Sequence, residues 1–254
     1  MITDVRIRAF RVTDDYDSCQ KFIEGHRKVL EYHGIKKVTS ANIAWANNPS
    51  VFVIAVESLD GEKLYGGARV HAVDGKHPLP IEEAVGSMDP KIHEIIKEHS
   101  LNGTGELCGL WNSVEIAGLG IGSVYSSIAA VTRVAQIGLK TMFALCSPAT
   151  LSFSERNGGR VLSSIGMNGT FYYPKLDLLA TAIFWDDLIN LPTVHSIAKE
   201  KMLSLRNNPK QIITEKALLK KNSYINIHYD LVIESANIYE FKLSSHIYKD
   251  GKFT

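Results

Sequence analysis

Three glycines alternate along a short stretch of the chain, at the point where a helix is expected to begin. Gly118, Gly120 and Gly122 follow a strand-like segment, and the sequence beyond them has helical periodicity. Glycines at such a point leave backbone N–H groups bare, and the positive end of the helix dipole adds to their effect. The ligand that this arrangement favours is an anion, commonly a phosphate. The candidate phosphate-binding residues are Gly118, Leu119, Gly120, Ile121, Gly122 and Ser123.

A Rossmann dinucleotide-binding turn is one interpretation of these glycines. The third glycine position of that motif is occupied by Ser123, where close packing of helix on strand favours Gly or Ala. The next strand, TMFALCS, ends in Ser147 and not in the acid that would hold a ribose hydroxyl. The half of the chain before the turn contains a hairpin and no βαβ alternation, which also argues against this fold.

The elements that must position the glycine turn can be predicted from periodicity, turn residues and caps. Strands are expected at VRIRAFRV, VFVIAVES, KLYGGARVHAV, GELCGLWNS, TMFALCS, GTFYYP and LLATAIFWDD. Helices are expected over residues 16–33, 90–98 and 123–138 and after Pro148, and DGKHPLPIEEAV is expected to be a loop. Asp60–Gly61 marks a hairpin turn between the second and third strands.

The texture of the sequence changes near residue 190. LPTVHSIAKEKMLSLRNNPKQIITEKALLKK is charged and amphipathic, and it predicts one or two helices. YINIHYDLVIE and NIYEFKLSSHIY predict two final strands. We therefore expect a main domain over residues 1–191 and a C-terminal extension over residues 192–254 that packs on it.

The order of these elements resembles that of the GNAT superfamily of acyltransferases. Those enzymes bind the pyrophosphate of coenzyme A on a Q/R-x-x-G-x-G/A loop that opens their central helix, and residues 117–122, AGLGIG, match its glycines. The first position is Ala117, so the usual arginine or glutamine is absent. The resemblance implies a fold of the α+β class, of three-layer α/β type, with a central mixed, twisted sheet flanked by helices.

One branch is more similar than the rest. GGARVHAVDGKHPLPIEEAV followed by GELCGLWNS looks like the acyl-homoserine-lactone synthases and the N-acyl amino acid synthases. Members of this branch have an arginine on the strand before a Leu-Pro loop and then a glutamate on the strand that leads to the helix. The matching residues are Arg69, Leu79-Pro80 and Glu106, and the similarity covers roughly residues 51–187.

The resemblance implies a role for each polar residue on these strands. Glu106 would accept the proton of the attacking amine, which must be neutral to attack a thioester; a solvated carboxylate at a strand end is the alternative. Arg69 and His71 lie two residues apart and so share a face of their strand, where they would bind the acceptor; an exposed face of the hairpin is the alternative. Backbone donors around Trp111, Asn112 and Ser113 would polarise the thioester carbonyl; a core aromatic is the alternative for the Trp111 ring.

The family's general acid has no obvious counterpart in this chain. Many members place a tyrosine four residues before a Gly-Phe pair, and Ser154 or Glu155 falls at the corresponding position. Tyr172 and Tyr173, on the next strand, are the alternative phenols. This departure keeps a second class open, namely a non-catalytic GNAT-like domain that senses acyl thioesters or serves as an interaction module.

The charge balance, cysteines and histidines of the sequence limit the kinds of partner and cofactor that we expect. With 28 basic and 27 acidic residues, the net charge is +1, which gives no support to a nucleic-acid partner. Three separated cysteines and the absence of an apolar leader or spanning segment predict a cytoplasmic protein without a membrane span. Nine scattered histidines form no metal motif, so we expect no metal. The expected function is acyl transfer from acyl-CoA or acyl-phosphopantetheine to a small-molecule amine such as an amino acid, with no tightly bound cofactor. Acyl carrier protein is a possible donor partner.

Overall fold

The computed structural model describes residues 2–34 and 43–233, which are built around a ten-stranded mixed sheet. The strands are β1 (Ile2–Arg11), β2 (Val51–Glu57), β3 (Leu64–Ala72), β4 (Gly105–Asn112), β5 (Met142–Cys146), β6 (Arg160–Val161), β7 (Thr170–Tyr172), β8 (Leu179–Trp185), β9 (Lys210–Lys216) and β10 (Tyr224–Asp230). Their order across the sheet is β6-β8-β5-β4-β3-β2-β1-β10-β9, and β7 also pairs with β8.

The middle of the sheet is an antiparallel meander. β1 to β4 pair in sequence order, and every residue of β2 is buried because helices cover both faces of the sheet at this point. The direction changes at β4–β5 and at β1–β10, which are parallel pairs. The sheet is therefore mixed, as the sequence predicted.

Helices cover the two faces and make three layers. They are α1 (Tyr16–Tyr32), α2 (Pro80–Val85), α3 (Lys91–Ser100), α4 (Ser126–Arg133), α5 (Pro148–Arg156) and α6 (Ser196–Asn207). Apolar side chains of α1, α2 and α3 pack on one face of the sheet, with Phe22 and Ile96 among them. Those of α4 and α6 pack on the other face, with Val131 and Leu205 among them.

Two of the predicted elements are wrong. The loop predicted at DGKHPLPIEEAV contains α2, which begins at Pro80 because its fixed φ suits a first helical turn and because the Glu82 carboxylate accepts from Leu79 N at 2.7 Å. The helix predicted at residues 210–216 is β9, where Ile212, Ile213 and Thr214 favour a strand and pair with β10.

The remaining predictions agree in type with the structure, with shifted ends. The helix expected over residues 123–138 is shorter, since a π turn over Ile121–Tyr125 precedes α4. The final predicted strand, NIYEFKLSSHIY, lies outside the described residues. No helix within residues 2–34 and 43–233 has both the length and the apolar character that crossing a membrane requires.

α4 is buried on all sides, although its sequence predicts a single core-facing stripe. Every residue from Ser126 to Arg133 is buried because α6 covers the side of α4 that faces away from the sheet. Leu205 and Met202 of α6 are fully buried in the same cluster as Val131 of α4. α6 is thus part of the main core.

We expect Leu205→Ala to lower the free energy of unfolding by about 2–5 kcal/mol, because it leaves a cavity against α4. Leu203→Ala, on the same helix but 43% exposed, is the matched control and should cost less than about 1 kcal/mol. Urea unfolding of both variants measures the difference. Equal losses would show that α6 does not pack as described.

Candidate functional site

The site lies where β4 and β5 separate. These parallel strands pair at a single position, Glu106 with Phe143. Beyond that pair their backbones diverge, and the residues at their ends, such as Asn112 and Ser147, line a cavity instead of pairing. Paired strands cannot admit a ligand between them, so the separation is what opens the sheet.

A β-bulge in β4 accompanies the separation. Arg69 pairs with Cys108 and Gly67 with Trp111, so two residues of β4 oppose one residue of β3. Gly109 sits in the bulge with φ +57, and a Cβ built on it would lie 2.6 Å from Arg69 Nε. Only glycine fits both the left-handed backbone and the close approach of the guanidinium.

Two connected cavities fill the opening. The larger, of about 1060 Å³, lies between α1, the end of β4, the glycine turn and the start of α5. The smaller, of about 200 Å³, runs between β4 and β5 and has apolar walls that include Leu107, Leu145 and Phe153. Leu30, Leu110, Ser147 and Thr150 line both. Together they form a cleft with an open outer part and a smaller inner part.

The glycine turn borders the larger cavity and presents unused backbone donors. Gly118 and Gly120 have φ +79 and +84, and the chain then enters the π turn that leads into α4. Within the described residues, the amides of Gly120, Ile121, Gly122 and Ser123 have no hydrogen-bond acceptor. Consecutive free amides at the start of a helix are a favourable site for an anion.

Gly122 is required by the packing of this turn against β4. A Cβ at this position would lie 2.5 Å from Asn112 Oδ1 and 2.9 Å from the Trp111 carbonyl oxygen. The backbone of the turn therefore lies directly against the end of β4. This contact places the free amides and the end of β4 beside one cavity.

Three further buried polar atoms belong to residues that line the larger cavity. Trp111 Nε1, Asn112 Oδ1 and Ser113 Oγ have no hydrogen-bond partner in the described part of the chain. Buried polar atoms are rarely left without a partner, and such atoms beside a cavity favour a polar ligand. The end of β4 was predicted to contribute through its backbone; its side chains add to that prediction.

A buried polar cluster occupies the α1 face of the sheet behind the cleft. Arg69, His71, Glu106 and Cys108 share this face, because Arg69 pairs with Cys108 and His71 with Glu106 across the two strands. Arg69 is 0% exposed, and its guanidinium lies 4.0 Å from the centroid of the Trp45 ring. Neither Arg69 nor His71 is on an exposed hairpin face.

Glu106 is buried, so it is not a solvated carboxylate at a strand end. Its Oε2 accepts a 2.7 Å hydrogen bond from Ile81 N at the start of α2. Burial raises the pKa of Glu106 to about 8, although the Ile81 hydrogen bond and the charge of Arg69 act in the opposite direction. At neutral pH the carboxyl group is mainly protonated.

The histidines near Arg69 are neutral. Burial and, to a smaller extent, the positive charge of Arg69 lower the pKa of His26 to about 3. The same two causes bring the pKa of His71 well below its ordinary value. Burial therefore determines the protonation of this cluster, and the charge of Arg69 adds a smaller effect.

A third cavity, of about 90 Å³, lies beside Arg69. Trp45, Asn48, Arg69, His71, His77 and Glu83 line it. His71 Nε2, buried beside this cavity, has no partner among the described residues. At its rim the buried Asp74 carboxylate holds His77 Nδ1 at 2.8 Å and Asn48 Nδ2 at 3.0 Å. This cavity offers the Arg69 cation and the neutral His71 imidazole to a small polar ligand.

Two of the four candidates for the general acid, Ser154 and Tyr172, lie apart. Ser154 lines the inner cavity, and its hydroxyl donates to Thr150 O at 3.0 Å and lies 3.3 Å from Cys146 Sγ. Tyr172 is 52% exposed on β7 and lines none of the three cavities described above. The structure brings Ser154 to the cleft and leaves Tyr172 outside it, and the role of each stays a prediction.

Several residues of the site were not predicted. Trp45, Asn48 and His77 come from segments that the sequence shows only as loops, so no periodicity marked them. The Asp74-x-x-His77 spacing was a possible signal, since an aspartate in a turn often accepts from residues two and three positions later. No group of three or more His, Cys, Asp or Glu within the described ranges is arranged to hold a metal ion.

Comparison with known proteins gives structural neighbours but no sequence match. No protein-family model matches the chain, and no curated protein matches it in sequence. FeeM, an N-acyl amino acid synthase from uncultured soil microbes, has a TM-score of 0.55 and 15% identity, over 77% of this chain and 96% of its own. BjaI, a CoA-dependent acyl-homoserine lactone synthase, has a TM-score of 0.53 and 9% identity, over 96% and 99% of the two chains.

These similarities confirm the predicted fold. The chain has the GNAT fold in the form found in the acyl-homoserine-lactone and N-acyl amino acid synthases. At identities of 15% and 9% the comparison extends to the fold alone, so the functional residues must be argued from the site.

The raised pKa of Glu106 predicts a specific pH dependence of stability. Between about pH 4.5 and pH 8 the folded protein holds a proton on Glu106 that the unfolded chain has released, so the free energy of unfolding falls as pH rises. Glu106→Gln mimics the protonated side chain and removes this fall, which is on the order of 4 kcal/mol across the window. Urea unfolding of both proteins at several pH values measures it. Parallel pH profiles would contradict the buried, neutral carboxyl group.

Proposed function

We propose that this protein is an acyltransferase that moves an acyl group from a pantetheine thioester to the amine of a small molecule. The observation that carries the proposal is the run of free amides at Gly120 to Ser123. The last two residues of this run, Gly122 and Ser123, line the cleft formed by the separation of β4 and β5. A phosphate on the amides would leave the thioester end of the donor free to enter the cleft. The GNAT fold and the acyltransferase neighbours support acyl transfer in general.

The dimensions and walls of the cleft suit a pantetheine arm and an acyl chain. The outer cavity of about 1060 Å³ has polar atoms from Asn112 and Ser113 for the amides of pantetheine. The inner cavity has apolar walls and would hold the acyl group, whose burial is favourable at about 0.8 kcal/mol per CH₂. Backbone donors near Trp111 would then face the thioester carbonyl.

The acceptor would bind beside Arg69, in the cavity of about 90 Å³. Its volume favours a small molecule, and the buried charge of Arg69 favours a carboxylate on that molecule. An amino acid carries both the carboxylate and the amine. Arg69 lines the acceptor cavity, and its guanidinium also approaches Gly109, which lines the donor cleft, so one side chain lies between residues of both walls.

The reaction requires a neutral amine. The ammonium of the acceptor gives its proton to the ionised form of Glu106, whose raised pKa makes this carboxylate a stronger base than an exposed one. The amine nitrogen attacks the thioester carbon, the C–S bond breaks, and the pantetheine thiolate leaves with the bonding electron pair. The thiolate takes up the second proton of the nitrogen, so the products are an amide and a free thiol. An ordinary thiol has a pKa of about 8.5, so the thiolate needs little help to leave, and the lack of a tyrosine at the family's general-acid position is tolerable.

The proposal is tested by thiol release. Freshly purified protein is incubated with acetyl-CoA or a long-chain acyl-CoA and a panel of amino acids, and free thiol and N-acyl product are measured. We expect release that depends on the amine. Native mass spectrometry without an amine measures donor binding separately.

A charge reversal at the amides provides the matched variant. Ser123→Glu places a carboxylate beside the free amides, and we expect it to weaken acyl-CoA binding at least about tenfold by repelling phosphate. Ser163→Glu adds the same charge at an exposed position on a loop outside the cavities and should leave binding within about twofold. Equal binding by the two variants would contradict the phosphate site.

The other outcomes identify the alternatives. Binding of acyl-CoA without thiol release for any amine favours a non-catalytic thioester sensor. Binding of acyl carrier protein but not of free acyl-CoA changes the donor and keeps the reaction. Binding of a dinucleotide in place of either donor favours the Rossmann-like use of the glycine turn.

A further inference from the structure

The turn between β9 and β10 lies on the glycine turn, although the two are about a hundred residues apart in sequence. Leu219 N donates to Gly118 O at 2.9 Å. A Cβ built on Gly120 would lie 2.5 Å from Leu218 Cδ1, so the leucine packs directly on the backbone of the turn. The C-terminal hairpin therefore helps to hold the glycine turn in place.

The same contact brings a cation to the glycine turn. A Cβ built on Gly118 would lie 3.6 Å from Lys220 Cγ and 3.8 Å from Lys220 Cε, so the carbon chain of the lysine lies against Gly118. Lys220 is exposed, and its ammonium is one bond beyond Cε. The position within the motif that should carry a basic or amide side chain is Ala117, the residue next to Gly118.

We propose that Lys220 contacts the phosphate groups of the donor and replaces, from the C-terminal hairpin, the side chain that the glycine motif lacks at Ala117. The inference rests on the proposed function and assigns a positioning role to the β9–β10 turn. Lysine is a suitable residue because its flexible chain delivers a compact charge to a phosphate without a fixed geometry. A donor without phosphate groups would gain nothing from it.

The buried polar atoms of the cleft support a ligand at this place independently of the lysine. Trp111 is 4% exposed, and its Nε1 has no partner among the described residues although the side chain lines the larger cavity. Ala117, Gly122 and Ser123 line the same cavity, while Gly118 and Gly120 face the hairpin. The glycine turn thus borders the cleft at some residues and the hairpin that carries Lys220 at others. A donor with its thioester end in the cleft and its phosphates outside the cleft would lie along both.

The experiment compares two neighbouring lysines and two donors. Binding is measured by isothermal titration calorimetry with the acyl-CoA that gives the most complex in native mass spectrometry, and with the same acyl group on pantetheine, which has no phosphate. We expect Lys220→Ala to weaken acyl-CoA binding about tenfold and Lys220→Arg to restore it to within about twofold. Lys221→Ala, on the same turn, is the control for loss of general positive charge and should change binding less than about twofold.

The outcomes separate this inference from the proposed function. Equal weakening by Lys220→Ala and Lys221→Ala overturns a specific contact, since it would reflect only the net charge of the turn. Equal weakening of acyl-CoA and acyl-pantetheine by Lys220→Ala also overturns it, because the hairpin would then act on the shape of the cleft. Binding of acyl-CoA by the wild type and by Ser163→Glu, but not by Ser123→Glu, supports the proposed function. If Lys220→Ala then binds acyl-CoA as tightly as the wild type, the inference about Lys220 fails and the proposed function stands. If the wild type binds no pantetheine thioester, both fail.

Discussion

The separation of β4 from β5 is the constraint on which the rest of the structure depends. Two parallel strands in the middle of a sheet would normally stay paired along their length, because unpaired backbone groups are costly when buried. Here the bulge at Gly109 bends β4 away, and the Arg69 guanidinium lies where a side chain at position 109 would have been. One glycine and one arginine thus keep the sheet open, and the cavities follow from that opening.

Arg69 has an electrostatic effect in addition to its packing against Gly109. A guanidinium with no exposure carries its charge in a low-dielectric setting, where it acts on every titratable group nearby. It opposes protonation of His26 and His71 and favours ionisation of Glu106, whereas burial favours the neutral form of all three. The result is a cluster with two neutral imidazoles and a carboxyl group that exchanges its proton near neutral pH, which is a useful state for handling the proton of an amine.

The sequence predicted those parts of the fold that depend on residues close to one another in the chain. Alternation in VRIRAFRV, the apolar run of VFVIAVES and the glycines at 118–122 each act through neighbours in sequence, and each gave the right element. The misread segments depend on distant partners: β9 is a strand because β10 is beside it, and α4 is buried all round because α6 covers it. In the same way Glu106 could be chosen from the sequence, but its burial and its hydrogen bond to Ile81 N could not.

A sequence motif also omits residues that the fold brings to the same place from distant parts of the chain. Ala117 stands where the glycine motif usually has a basic or amide side chain, so that side chain is missing. An anion at a helix start nevertheless interacts with every nearby charge, whatever its position in sequence. β10 extends the sheet next to β1, and that pairing fixes where the β9–β10 turn ends, with Leu219 bonded to Gly118. The described part of the chain after residue 192 therefore contributes to the core through α6 and contacts the glycine turn through one hairpin turn. A departure from a motif is evidence against a function only after the segments that the fold brings to the same place have been considered.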